Sequence, residues 1–200
     1  MTVEAFKKNC VDLKPDVFVQ KFLIEDETFF FKEIKSGKEF DFKKDIASIL
    51  GVHIRDIVIV GSGKFGFSLK PDDASEGLYL FKEFDYNNKK ESSAKKSDLD
   101  IAIVSSYLFD KELLNLYNHT GFYKNTWDNR NSFGKYALKG KLAIRFLPLE
   151  FRLTKEILEV QEKYQKEYGR EVNLEIYKSW YFFETYHQQN IKNIQVNLLR

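Results

Sequence analysis

Two short stretches hold residue types that can do chemistry together. The first is Gly61-Ser62-Gly63-Lys64, inside "VIVGSGKFG" at residues 58–66. The second is Asp98 and Asp100, inside "SDLDIAIVS", thirty-six positions after Ser62. Aspartates two apart at the start of a strand send both carboxylates to the same side. An apolar run follows at once and anchors them. Two hard oxygen ligands near a glycine turn with bare backbone N–H groups suit Mg²⁺ and a triphosphate.

Taken alone, the glycine turn has three readings. Gly61, Gly63 and Gly66 spell the dinucleotide fingerprint G-x-G-x-x-G. That motif needs a full helix after the glycines, a second strand and an acidic residue about 20 positions on. Asp85 is placed for the acid, but Pro71 follows Gly66 by five residues and breaks the required helix. A phosphate-binding P-loop needs lysine directly after its second glycine. Phe67 stands there instead, and Lys64 lies inside the loop. The third reading, a Gly-Ser signature paired with a downstream Asp-x-Asp, agrees with "SDLD".

The elements that must hold these residues follow from periodicity. Residues 1–36 read as short helices. In "DFKKDIASIL", residues 41–50, Phe42, Ile46, Ala47 and Leu50 form a helical stripe, with Gly51 as C-cap. "DIVIV" at 56–60 and "DLDIAIV" at 98–104 read as buried strands. "SYLFDKELLNLY" is helical, with Ser105 or Ser106 as its cap. "KYALKGKLAIRFLP" holds a further strand ending at Pro148. "TKEILEVQEKYQKEY" is an amphipathic helix capped by Thr154, and 172–195 reads as the longest helix. The order implies an α+β (mixed α/β) fold: a small mixed sheet flanked by helices. Residues 1–150 are expected to form the core, and 151–200 C-terminal helices packed on it.

At the two motifs the chain resembles the nucleotidyltransferase superfamily, the fold of beta-type DNA polymerases and poly(A) polymerases. The shared pattern is an apolar strand, Gly-Ser, a short helix, then Ser-Asp-x-Asp on the next strand. Here it covers roughly residues 56–118, and its wording is most similar to small stand-alone prokaryotic members. Some of those belong to toxin–antitoxin or anti-phage systems.

The resemblance implies transfer of a nucleoside monophosphate from an NTP or dNTP to an acceptor hydroxyl, with loss of pyrophosphate. It implies Asp98 and Asp100 as catalytic ligands of Mg²⁺ or Mn²⁺. Ser62 and the Gly61 and Gly63 backbone would hold the β- and γ-phosphates. Lys64 adds charge there, and Ser97 caps or orients Asp98. The acceptor is a nucleic-acid 3′ end, another nucleotide or a protein side chain. The alternative is a module that binds nucleotide, nucleic acid or a partner protein without catalysis; a purely structural subunit is a third reading.

The chain departs from the pattern twice. The gap from Ser62 to Asp98 exceeds the usual dozen or so residues, and the excess fits a polar insertion at about 70–96. There Lys82, Lys89, Lys90, Lys95 and Lys96 are interleaved with Phe81, Phe84 and Tyr86. That composition suits a nucleic-acid surface, but Glu83, Asp85 and Glu91 dilute the charge, so a solvated loop is the plainer expectation. Secondly, the resemblance implies a third carboxylate on a later strand, yet no Asp or Glu lies between Asp128 and Glu150 and "KLAIRF" offers Arg145, so either Asp128 or Glu150 reaches the site from a loop or the third ligand is missing.

Composition narrows the setting. Of 200 residues, 43% are hydrophobic and the net charge is only +2, so a core can form and the chain as a whole is no polycation. Cys10 is the single cysteine, which excludes an internal disulfide or a Cys-based zinc site and reads as a small hydrophobe. No apolar run approaches a membrane span, and the polar start is unlike a signal peptide, so a reducing cytoplasm is expected. The oligomeric state is not encoded in any motif. Trp127, Arg130 and Lys135 read as loop packing, Trp180 to Phe183 as core aromatics, and His187 as surface.

Overall fold

The computed structural model describes residues 1–72 and 77–199; part of the polar insertion expected at about 70–96, residues 73–76, lies outside them. The elements run α1 (Val3–Asp12), α2 (Pro15–Phe18), π-helical segments Val19–Glu25 and Phe30–Ile34, and α3 (Glu39–Leu50). Then come β1 (Ile57–Val60), α4 (Gly61–Phe65), α5 (Tyr86–Lys90), β2 (Leu99–Val104) and α6 (Ser106–His119). The last part is α7 (Arg130–Ala137), β3 (Lys141–Leu142), α8 (Lys155–Tyr168), β4 (Val172–Tyr177) and α9 (Trp180–Leu198). The architecture is mixed α+β.

Local signals start and stop several elements as expected. Gly51 ends α3 in the left-handed conformation. The Ser105 hydroxyl accepts from the Leu108 N–H and caps α6. Thr154 stands at the start of α8, but its side chain makes no capping bond.

The sheet has the order β1-β2-β4-β3. β1 and β2 are antiparallel, β2 and β4 parallel, and β3 and β4 antiparallel. The antiparallel β1–β2 pair removes the dinucleotide reading, which requires a parallel crossover. α4 is also only five residues long and ends at Gly66, in the left-handed region at φ 86°.

β4 corrects the expectation of one helix over 172–195. Val172, Leu174 and Ile176 alternate with Asn173 and Glu175, a strand pattern, and helix begins only at Trp180. Residues 151–200 are therefore not simply helices laid on a finished core, because they supply an interior strand. "KLAIRF" yields only a two-residue edge strand, followed by a 3₁₀ turn at Ile144–Phe146. "TWDNRNSFGKY" is not loop throughout, since α7 begins at Arg130.

Alternation splits the sheet into two faces. Ile57, Ile59, Leu99, Ile101, Ile103, Val172, Leu174 and Ile176 point into one core, with α3, α6 and α8 over it. Val58, Val60, Ala102, Val104 and Tyr177 point into the other, under α1, α2 and α9. Among the described residues no helix is long and apolar enough to cross a membrane.

Candidate functional site

The second face carries the polar residues. The register sets Val60 opposite Asp100, and Asp100 opposite Asn173. Two residues along β4, on the same side, stands Glu175. These line a cavity of about 760 Å³ whose walls also include Gly61, Ser62, Lys70, Tyr136, Lys141, Arg145, Tyr186 and His187. That volume lies within the range of small-molecule sites.

Asp98 and Asp100 are brought together by one amide. Asn173 Nδ2 donates to Asp100 Oδ1 at 3.1 Å and, more loosely, stands 3.4 Å from Asp98 Oδ2. Asp98 also pairs with Lys95 at 3.3 Å. Burial pushes the Asp100 pKa up; the Asn173 hydrogen bond opposes this, while the nearby charges of Glu175 and Asp98 add to it. Lys70 pulls the other way.

Gly61 is required where it stands. It adopts φ +64°, and a Cβ there would meet Asp100 Oδ2 at 2.9 Å. The glycine thus keeps the turn open directly beside the carboxylate. Ser62 lines the cavity next to it, and α4 has no side-chain cap to occupy its first N–H groups.

The other predicted site residues lie elsewhere. Gly63 is buried on Leu99, where a Cβ would fall 2.8 Å from Leu99 Cδ1. Lys64 is buried, does not line the cavity and donates to the Asp26 carbonyl. Burial lowers its pKa to about 8. Ser97 joins a clip: its hydroxyl accepts from the Asp85 N–H, and its own N–H donates to Asp85 Oδ1, each at 2.8 Å. Arg170 closes the clip with two bonds to Asp85, its guanidinium packed against Phe84 and Phe30. Asp85 is therefore a structural anchor.

That clip changes the picture of the insertion. Phe81 and Phe84 are buried and cannot stack on bases. Lys82 pairs with Asp72, Lys89 with Glu83, and Lys95 with Glu171 as well as Asp98. Lys90 lies over the Tyr86 ring. The charge in 82–95 is largely spent within the fold.

Neither Asp128 nor Glu150 lines the cavity; besides the two aspartates, its acidic side chains are Glu171 and, on β4, Glu175. Glu175 Oε2 is 2.5 Å from Lys141 Nζ, and the Lys141 side chain is only 4% exposed. The rings of Tyr186, Tyr177 and Tyr136 surround that ammonium, Tyr186 nearest at 4.3 Å. The signal that could have found Glu175 was the alternation in "VNLEI"; Leu174, Tyr177 and Tyr181 also fit a helical spacing and masked it. Among the described residues, no three His, Cys, Asp or Glu side chains form a ready-made metal cluster.

His187 is not a free surface residue. It is half-buried on the cavity wall, against Phe183, Tyr186 and Tyr177. Burial, with Lys141 nearby, lowers its pKa to about 3 and keeps it neutral. Cys10 is buried, and burial raises its thiol to about 11, which suits an inert core residue. The Trp127 indole donates to the Phe146 carbonyl, and Arg130 stacks on Tyr123, both packing roles. Of Trp180 to Phe183, Phe183 is buried, Trp180 bonds Asp56, and Tyr181 is exposed.

Compared with known proteins, the chain matches no family model, no curated protein and no solved structure.

Proposed function

We propose that the protein is a Mg²⁺-dependent nucleotidyltransferase acting on a nucleoside triphosphate. One observation carries the reading: Asp98 and Asp100 converge on Asn173 at the head of β2, against the open Gly61-Ser62 turn, on the wall of a nucleotide-sized cavity. The donor set suits the ion. Magnesium is commonly held by one or two carboxylates, with substrate phosphates and water completing the shell. Burial, and after it the nearby charges of Glu175 and Asp98, raise the Asp100 pKa, and a bound cation offsets both.

Asp98 and Asp100 would hold the metal, which when bound neutralises developing phosphate charge and activates the attacking oxygen. The Gly61 and Ser62 backbone, with Lys70, faces the triphosphate; Lys70 takes the place expected of Lys64. Asn173 holds both aspartates in register. Glu175, ion-paired to Lys141 on the cavity wall, takes the role of accepting the acceptor's proton.

The test is to incubate folded protein with each α-labelled NTP or dNTP, Mg²⁺ or Mn²⁺, and candidate acceptors. Label transfer that disappears in Asp98→Ala is expected. No transfer under any condition would sink the catalytic reading. A second reading, nucleotide binding without turnover, is favoured by an amide, Asn173, opposite Asp100 and by the Glu175–Lys141 pair. Calorimetric triphosphate binding with no turnover would select it.

A further inference from the structure

The cavity spans the sheet from one edge strand to the other. At the β1 edge it is lined by Gly61, Ser62 and Lys70, and at the β3 edge by Tyr136, Lys141 and Arg145. The carboxylates of β2 and β4 lie between. Of the three cations on its wall, Lys141 is committed to Glu175. Lys70 and Arg145 form no ion pair among the described residues. Lys70 acts electrostatically on Asp100 and so belongs to the β1 side. Arg145 has no triphosphate-side role left to it.

Arg145 sits on an aromatic wall. Its guanidinium lies 4.7 Å from the Phe146 ring centre, and Nη2 reaches the Tyr136 hydroxyl at 3.4 Å. The Tyr136 ring stands 5.3 Å from Phe146 at 37°, and 6.2 Å from Tyr186. The wall thus leads from an exposed guanidinium inward to Tyr186, which caps the Lys141–Glu175 pair. A guanidinium fork matches a phosphate, and aromatic faces stack nucleobases. A protein side chain or a plain sugar acceptor would use neither.

We infer that the β3 side of the cavity is an acceptor subsite for a phosphate-bearing nucleotide, its phosphate on Arg145 and its base on Tyr136 and Tyr186. This rests on the nucleotidyl-transfer reading. In the step it serves, the acceptor hydroxyl oxygen bonds to the α-phosphorus and the α–β bridging P–O bond breaks. Pyrophosphate leaves with the electron pair, and the hydroxyl proton passes to Glu175. A free mononucleotide and a nucleic-acid 3′ end share this chemistry. Of the insertion lysines, Lys82, Lys89 and Lys95 are already paired within the fold.

The experiment offers the full chain an α-labelled NTP and Mg²⁺ with a nucleoside, its 5′-monophosphate, a short single-stranded oligonucleotide, or no acceptor. The monophosphate or the oligonucleotide is expected to be labelled at least about tenfold more efficiently than the nucleoside, the effect of one charge-assisted contact. Which of the two wins separates free nucleotide from nucleic acid. Arg145→Ala should erase the preference while the KM for NTP holds, and Arg145→Lys should restore part of it. Equal labelling of nucleoside and monophosphate, labelling mainly of the protein itself, or an unchanged preference in Arg145→Ala would overturn the subsite. If nothing is labelled, the transfer reading falls and equilibrium binding decides the subsite. Monophosphate or oligonucleotide binding weakened tenfold by Arg145→Ala at constant NTP affinity keeps it; unchanged binding overturns it. Arg145 is exposed, so the variant is expected to melt as the parent does.

Discussion

The two faces of the sheet come from the same strands and do opposite work. Toward α3, α6 and α8 all eight inward residues of β1, β2 and β4 are Ile, Leu or Val. Toward α9 the face is apolar on β1, then turns polar through Asp100, Asn173 and Glu175 as it crosses to β4. One face supplies burial, and the other can therefore hold crowded carboxylates and a buried lysine. Such groups destabilise a fold unless they are paired or used. The contrast implies that substitutions on the two sides separate activity from stability.

The largest effect should fall on the polar face. Asp98→Ala with Asp100→Ala is expected to lower nucleotidyl transfer by more than about a hundredfold, beyond what losing outer-shell partners of a metal site costs. Its melting temperature should hold or rise, since a buried carboxylate with a raised pKa is removed. A large loss of stability would instead make the aspartates structural.

On the opposite side the order reverses. Arg170→Ala strips the half-buried Asp85 of its charged partner and is expected to cost up to about 3 kcal/mol in denaturant unfolding. Ile46→Ala, in α3 and fully buried, should cost about 2–5 kcal/mol. The remaining folded molecules should keep the parent's NTP affinity. Altered affinity in Ile46→Ala would mean that the two faces are coupled.

The last effect is a pH slope, small over any one pH unit. His187 stays neutral in the fold down to about 3, while in the unfolded chain it gains a proton below about pH 6.5. The unfolded state binds more protons between these values, so stability falls as pH drops from 6.5 toward 3. The slope is at most about 1.4 kcal/mol per pH unit. His187→Gln should flatten that slope in thermal melts. An unchanged slope would place the histidine in water, against its position on the cavity wall.

How much was legible depends on the range of the signal. Gly61-Ser62 and Asp98-x-Asp100 stood out because each closes or opens an apolar strand, and the antiparallel β1–β2 pair does bring them together. Glu175 was hidden because five alternating residues are a weak pattern beside a long helix. Lys64 misled because proximity to Ser62 in sequence says nothing of direction. On a five-residue helix, packing aims the side chain, and here it aims at Asp26. The aromatics Phe81 and Phe84 resembled a binding surface, yet the Asp85–Ser97–Arg170 clip and the neighbouring core bury them.

By itself the sequence determined strands β1 and β2, the turn and the pair of aspartates, because alternation, glycine geometry and apolar runs act within a few residues. Only the tertiary structure decided that a strand more than seventy residues later would pair beside Asp100 and bring Asn173 and Glu175 to it. Strand order depends on which apolar faces bury one another across the whole chain, and no local pattern contains that choice.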